Sequence, residues 1–377
     1  MKIDVTHIDS EDTQIHGLPS AVFKDSEIFQ QESETILRKG WVSIASAQQL
    51  ENVGDILPVR MGDASLIAIR SEDQKISVFH NVCRHKAAPI IDKPCRVRTL
   101  SCPYHRWAYK LDGSLRSAPK FFGNSDRELT EEEKSDKGLI EVRSVVWWDT
   151  IFVNISGDAE PFEDFIKPLD QILEGYDSND LHRISSTEYE SKSNWKLAVD
   201  NFLDGYHVPF VHSQAVRLNS VMNQEDLFLS DNIIGLKLPS GASDKPAKTD
   251  KPLPTFKHLN KDNIGTQQWF GIFPNTLLFV DPVWVQLIIV RPEAYDFYTE
   301  TLTIYAANPD TMSPEYDKQR ETLSNVLNHV NEQDIELLDK LQITRTSPEA
   351  DKGILVQAWD QVNVRFHQIW LEKMKQQ

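Results

Sequence analysis

Two short stretches of this chain offer metal-binding chemistry before anything else is known of it. Cys83-Arg84-His85 is followed, after sixteen intervening residues, by Cys102-Pro103-Tyr104-His105. Each stretch brings one soft thiolate and one imidazole within reach of a common centre, a set that suits zinc or an iron–sulfur cluster. Zinc fingers put two cysteines in one pair and two histidines in the other. Here each pair is mixed, which matches a [2Fe-2S] centre with two thiolates on one iron and two imidazoles on the other.

A second constellation lies in Asn194–His212, NWKLAVDNFLDGYHVPFVH. Asp200, Asp204 and His207 are spaced i, i+4 and i+7, so an unbroken helix would put all three on one face. His212 would rotate away from that face, but Pro209 distorts or ends the helix first. A carboxylate and two imidazoles could then converge, as in the facial triad of non-haem Fe(II) oxygenases. The competing reading is that these histidines are hydrogen-bonded core residues.

The elements around these motifs follow from patterning. From about 40 to 155, β-branched and aromatic runs (SLIAIR, KISVFHNV, VWWDTIFVNI) alternate with turn residues such as LDGS at 111–114, which predicts a small all-β domain. Its loops would carry all four Cys/His donors on a stiff scaffold. Residues 160–181 have helical periodicity, strands recur in FGIFPNTLLFV, WVQLIIVRP and FYTETLTIYAA, and 313–376 is mainly helical. The stretch 238–254, rich in Pro, Ser, Lys and Asp, predicts a flexible loop or lid. The expected fold class is α+β: an N-terminal segment at 1–37, a small all-β domain at 38–155, and at 156–377 an antiparallel sheet flanked by helices.

Composition narrows the function classes. The chain has 377 residues, 26% of them charged, and a net charge of −17 that disfavours nucleic acid. The start, MKIDVTHIDSEDTQ, lacks an apolar signal core, and no run of 18 apolar residues predicts a membrane span. Three cysteines cannot build a disulfide scaffold, so a reducing cytoplasm is the expected setting, with Cys95 an ordinary loop or core residue.

With both motifs in this order, the chain resembles the catalytic α subunits of Rieske non-haem iron oxygenases over about residues 38–376. The family's C-x-H and C-x2-H pairs are followed by W-x-Y-x-L-D-G at Trp107–Gly113, then by Asn194-Trp195-Lys196 and Asp204-Gly205-Tyr206-His207 to His212. The resemblance implies that Cys83, His85, Cys102 and His105 hold a Rieske cluster, and that His207 and His212 bind a mononuclear Fe(II). The family's third iron ligand lies on a helix reading E-D-I, with Gln eight residues after the Asp. Glu332-Gln333-Asp334-Ile335 with Gln342 fits, which assigns Asp334, with Glu332 and Glu336 as alternatives because Gln333 interrupts the pattern.

The resemblance further implies a homotrimer in which Asp204 bridges His207 to a neighbour's His105, and Asn201, one turn earlier, faces the same pocket. Two departures stand out: Arg106 where the family usually has Gly, and Lys86-Ala87-Ala88 in place of Arg-Gly-Ala. The implied reaction inserts oxygen from O2 using electrons from an NAD(P)H-dependent reductase or ferredoxin. The expected substrate is a small quaternary ammonium compound, hydroxylated or N-demethylated, which Trp269, Phe270, Phe273, Trp284 and Phe202 could cage. An aromatic ring is the alternative. A bare electron carrier would need only the first motif, and a structural zinc module would not need Asp204, His207 and His212.

Overall fold

The computed structural model describes residues 15–213, 223–239 and 251–375; most of the expected lid, 240–250, lies outside them. The chain divides into two compact units, Leu37–Ala159 and a second made of residues up to Ile36 together with Glu160–Gln377.

In Leu37–Ala159, strands β1 (Val42–Ser46), β2 (Asp55–Met61), β3 (Ala64–Arg70), β4 (Ile76–His80), β5 (Cys95–Arg96), β9 (Glu141–Trp147) and β10 (Thr150–Asn154) form an antiparallel sheet in the order β1-β10-β9-β4-β3-β2-β5. A three-stranded sheet, β6 (Leu100–Ser101), β7 (Ala108–Tyr109) and β8 (Leu115–Ser117), lies beside the second Cys/His pair in the chain. The run VWWDTIFVNI is not one strand. Trp148 and Asp149, both at positive φ, turn it into the β9–β10 hairpin. Gly113 of the LDGS turn has φ +80, and a Cβ there would meet the Phe79 ring at 2.4 Å, so only glycine closes this turn against the core. Cys83 and Cys102 belong to that same apolar core, with Ile67, Phe79, Leu100 and Tyr109.

The second unit is built on a seven-stranded antiparallel sheet: β11 (His182–Ser191), β12 (Glu225–Phe228), β13 (Ile233–Pro239), β14 (Thr266–Ile272), β15 (Thr276–Val280), β16 (Trp284–Ala294) and β17 (Phe297–Ala306), ordered β11-β17-β16-β15-β14-β13-β12. Its helices include α1 (Ser26–Glu32), α2 (Phe162–Ile172), α3 (Trp195–Phe202), α4 (Val208–Val211), α5 (Asp317–Thr344) and α6 (Gln361–Lys375). Glu32, at the end of α1, is fully buried. It accepts hydrogen bonds from the indoles of Trp195 and Trp370 at 3.0 and 2.7 Å and pairs with Lys196 at 2.6 Å. A buried charge pair is tolerable only with its remaining lone pairs satisfied, as here. Among the described residues no helix is long and apolar enough to cross a membrane.

Candidate metal centres

The two Cys/His loops have one backbone design. In the first, Cys83 N–H donates to Ala88 O and Ala87 N–H donates to Cys83 O; in the second, Cys102 N–H donates to Trp107 O and Arg106 N–H to Cys102 O. Each loop therefore needs a left-handed residue at its fifth position, and Ala87 (φ 54) and Arg106 (φ 60) occupy it. The two departures noted in the sequence fall on these positions, where glycine is the unstrained choice.

The loops bury both thiols and leave the imidazoles outside. Cys83 and Cys102 are 2% and 1% exposed and form no disulfide. The His85 and His105 rings lie 4.4 Å apart, and His85 stacks on Trp107. Tyr109 Oη lies 3.3 Å from Cys83 Sγ, within hydrogen-bond distance, and accepts the Arg84 N–H at 3.1 Å. Two buried soft donors and two adjacent surface imidazoles are the donor set a mixed-ligand [2Fe-2S] cluster takes. Cys95 is half-buried, and burial raises its thiol pKa. Local charge runs against the whole chain: residues 81–120 hold nine Lys and Arg against two Asp.

The second constellation differs from the single helix expected. Asn194 caps α3 by accepting the Lys196 N–H, and the helix ends at Leu203. The Asp204 carboxylate then accepts Tyr206 N–H at 2.7 Å and His207 N–H at 3.4 Å, an Asx-type turn that stops the helix before His207. Asp200, Asp204 and His207 therefore do not share a helical face. Asp200 turns to α6, where it lies 2.8 Å from Asn363 Nδ2 and 3.2 Å from His367 Nε2. Burial works to raise its pKa, but His367 and Asn363 hold it below the usual carboxylate value. Asn201 is half-buried on the last turn of α3, its carbonyl accepting the Asp204 N–H.

Helix α5 supplies the third group. His207, His212 and Asp334 each offer a ligand atom, and all three atoms lie within 4.8 Å of one another. Asp334 Oδ1 is 3.5 Å from His207 Nε2 and 3.1 Å from His212 Nε2. Yet His212 Nε2 and Asp334 Oδ1 are buried without a hydrogen-bond partner. Atoms this close but misaligned point at a shared centre rather than at each other, which is the arrangement a bound cation requires. Burial works to lower the His207 pKa, but Asp204 and Asp334 override it and push it up to about 9. Burial works to raise Asp334, but the two histidines pull it down to about 2. Glu332 and Glu336, the alternatives to Asp334, are exposed, and Glu336 pairs with Lys340.

Three contacts near this centre escaped the sequence reading. Gln333 Oε1 lies 2.9 Å from His212 Nδ1. Glu300, on β17, accepts the Asn331 amide at 2.7 Å, one turn before Asp334. Gln342, noted for its spacing, accepts the Asn194 N–H and donates to Phe23 O, tying α5 to the start of α3. Of the five proposed cage aromatics, strand alternation separates Trp269 from Phe270, which is fully buried. Phe273 packs on Trp195 and Phe366. Phe279 instead packs edge-to-face on Trp269 and stacks on Trp284, each at 4.4 Å between ring centroids.

A family model described as "Ring hydroxylating alpha subunit (catalytic domain)" matches residues 178–376, and "Rieske [2Fe-2S] domain" matches 40–123. The chain belongs to the Rieske ring-hydroxylating oxygenase α-subunit family. Its cofactors are accordingly a [2Fe-2S] cluster and a mononuclear iron, and the donor sets above fit both. The glycine betaine monooxygenase oxygenase subunit of Chromohalobacter salexigens is 29% identical over 212 residues, 56% of this chain and 46% of that protein. Spinach (Spinacia oleracea) choline monooxygenase is 24% identical over 95% of this chain and 78% of its own. Against several of these curated relatives, then, the alignment spans only about half of their length. Among solved structures, the quaternary ammonium Rieske monooxygenase CntA superposes with TM-score 0.76 at 20% identity, covering 97% of this oxygenase chain and 96% of its own. Naphthalene 1,2-dioxygenase of Rhodococcus sp. gives 0.75 at 20% identity, covering 95% and 94%. Both likenesses concern the fold.

Proposed function

We propose that this chain is the oxygenase component of a two-centre monooxygenase acting on a small quaternary ammonium compound. The observation that carries the reading is the convergence of His207, His212 and Asp334 on one point while two of their donor atoms stay buried and unpartnered. Cys83 and Cys102 would hold one cluster iron, His85 and His105 the other, and the triad the mononuclear iron. When bound, these groups supply single electrons and O2 activation. The overall balance is R–H + O2 + 2 e− + 2 H+ → R–OH + H2O.

The chain's own residues do the positioning. The two loops hold the His85 and His105 imidazoles outward, on the side from which a bound cluster would exchange electrons. Asp204 lies 3.4 Å from the Nδ1 side of His207 and places negative charge there without a hydrogen bond, while His207 Nε2 faces Asp334. In a homotrimer Asp204 would also reach His105 of the partner subunit and carry the electron path between copies. The electron donor is a separate NAD(P)H-dependent reductase or ferredoxin, and the cationic loops favour one with an acidic face.

The quaternary ammonium reading draws on the betaine and choline relatives. Substrate-dependent O2 uptake tests it with choline, carnitine, betaines and simple aromatic acids, using enzyme that shows a reduced Rieske EPR signal. Uptake with one of the quaternary amines is expected. Uptake confined to the aromatic acids would replace this reading with ring hydroxylation.

A further inference from the structure

The triad's two imidazoles are supported unequally from behind. His207 Nδ1 faces the Asp204 carboxylate at 3.4 Å as a charge neighbour, without a hydrogen bond. His212 Nδ1 faces the side-chain amide oxygen of Gln333 at 2.9 Å. His212 is 3% exposed, and its Nε2 lies 3.1 Å from Asp334 Oδ1, so only that nitrogen can serve the shared centre. Its proton must then sit on Nδ1, where the Gln333 Oε1 accepts it. Gln333 precedes Asp334 directly on α5, so one helix supplies both a carboxylate to the centre and the tautomer lock for the histidine opposite.

We propose that Gln333 is a positioning residue for the iron site: it fixes the His212 tautomer and, being neutral, makes His212 the weaker of the two imidazole donors. The inference rests on the triad binding iron as proposed above. A carboxylate behind a metal-bound imidazole raises its basicity, whereas an amide orients the ring without adding charge. Besides the Asp334 carboxylate in the triad itself, the nearest negative charge behind an imidazole is Asp204 behind His207. No proton leaves Gln333 at any pH, so this support does not titrate.

The test uses protein that keeps its cluster but has had the mononuclear site emptied by chelator, titrated with Co2+ and followed by the metal's visible d–d bands. Gln333→Leu should weaken Co2+ binding by roughly 10- to 100-fold, the usual loss on removing such a partner. Gln333→Glu, isosteric and charged, should bind Co2+ more tightly than wild type, with both variants keeping the wild-type thermal midpoint and cluster absorption. Wild-type affinity in Gln333→Leu, or equal weakening by Leu and Glu, would overturn the role. If wild type and Asp334→Ala bind Co2+ equally, the iron-site reading itself fails, an outcome separable from either.

Discussion

The donors of the cluster loops, Cys83 to His105, come from 23 consecutive residues, whereas the triad from His207 to Asp334 spans 128. The cluster loops repeat one hydrogen-bonded turn twice, with the side chains set by backbone geometry a few residues away. The triad depends instead on the register of a 28-residue helix against an Asx turn, and on polar side chains that tie the two. The first design is local, apolar and strained at the backbone. The second is long-range and polar, and it concentrates buried titratable groups.

The largest effects should separate the two regions outright. Asp334→Ala should abolish mononuclear metal binding and substrate-dependent O2 uptake while leaving the reduced-cluster EPR signal intact. Cys102→Ser should do the reverse, erasing the cluster signal while Co2+ still binds the triad. Loss of both signals in either variant would show that the regions are not independently built. Asp204→Asn removes charge without volume. It should leave both centres loaded and lower turnover by about a hundredfold, the upper range for an outer partner of a metal ligand. Full turnover in that variant would sink the bridging role.

Glu300 probes the polar burial beside the triad. Burial first, and then the nearby Asp334 charge, push its pKa up to about 7 against the opposing pull of Asn331 and Arg291. A carboxyl whose folded pKa lies above its unfolded value binds an extra proton in the native state. Its stability contribution is therefore lost as pH rises from the unfolded value toward about 7. Glu300→Gln keeps the acceptor for Asn331 and removes the ionisation. In metal-free protein at pH 8 it should stabilise by about 3 kcal/mol, and by much less at pH 4, in denaturant melts. Equal effects at both pH values would remove Glu300 from the account.

What the sequence showed tracks this difference. The paired loops of Cys83, His85, Cys102 and His105 were legible because the backbone contacts that build each loop lie within one short motif. Asp334 was reachable only through the resemblance, since nothing local to residue 334 says which carboxylate of three will meet histidines more than a hundred residues earlier. The single-helix expectation for Asp200, Asp204 and His207 failed because spacing reports periodicity, not the Asp204 carboxylate capping its own downstream amides. Glu32 was invisible for the same reason: its partners Trp195, Lys196 and Trp370 are 163 to 338 residues away. Gln333 was read as a flaw in a pattern, yet it is the residue that holds His212.

The smallest predicted effect tests the backbone side of the comparison. Ala87 and Arg106 sit at φ 54 and 60 in equivalent positions of the two loops. A side chain in that conformation costs about 1 kcal/mol through the clash of Cβ with the following carbonyl, a cost glycine does not carry. Ala87→Gly and Arg106→Gly should each stabilise the cluster-bearing unit by about 1 kcal/mol. The change is read as a rise in the temperature at which the cluster's visible absorption bleaches. Arg106→Ala is the decisive control, because it removes the guanidinium and keeps the Cβ. If backbone strain is the cause, Arg106→Ala gains nothing while Arg106→Gly gains the full amount. An equal gain from both would mean that the cost lies in the exposed charge beside the cluster, and that the repeated turn carries no strain at this position.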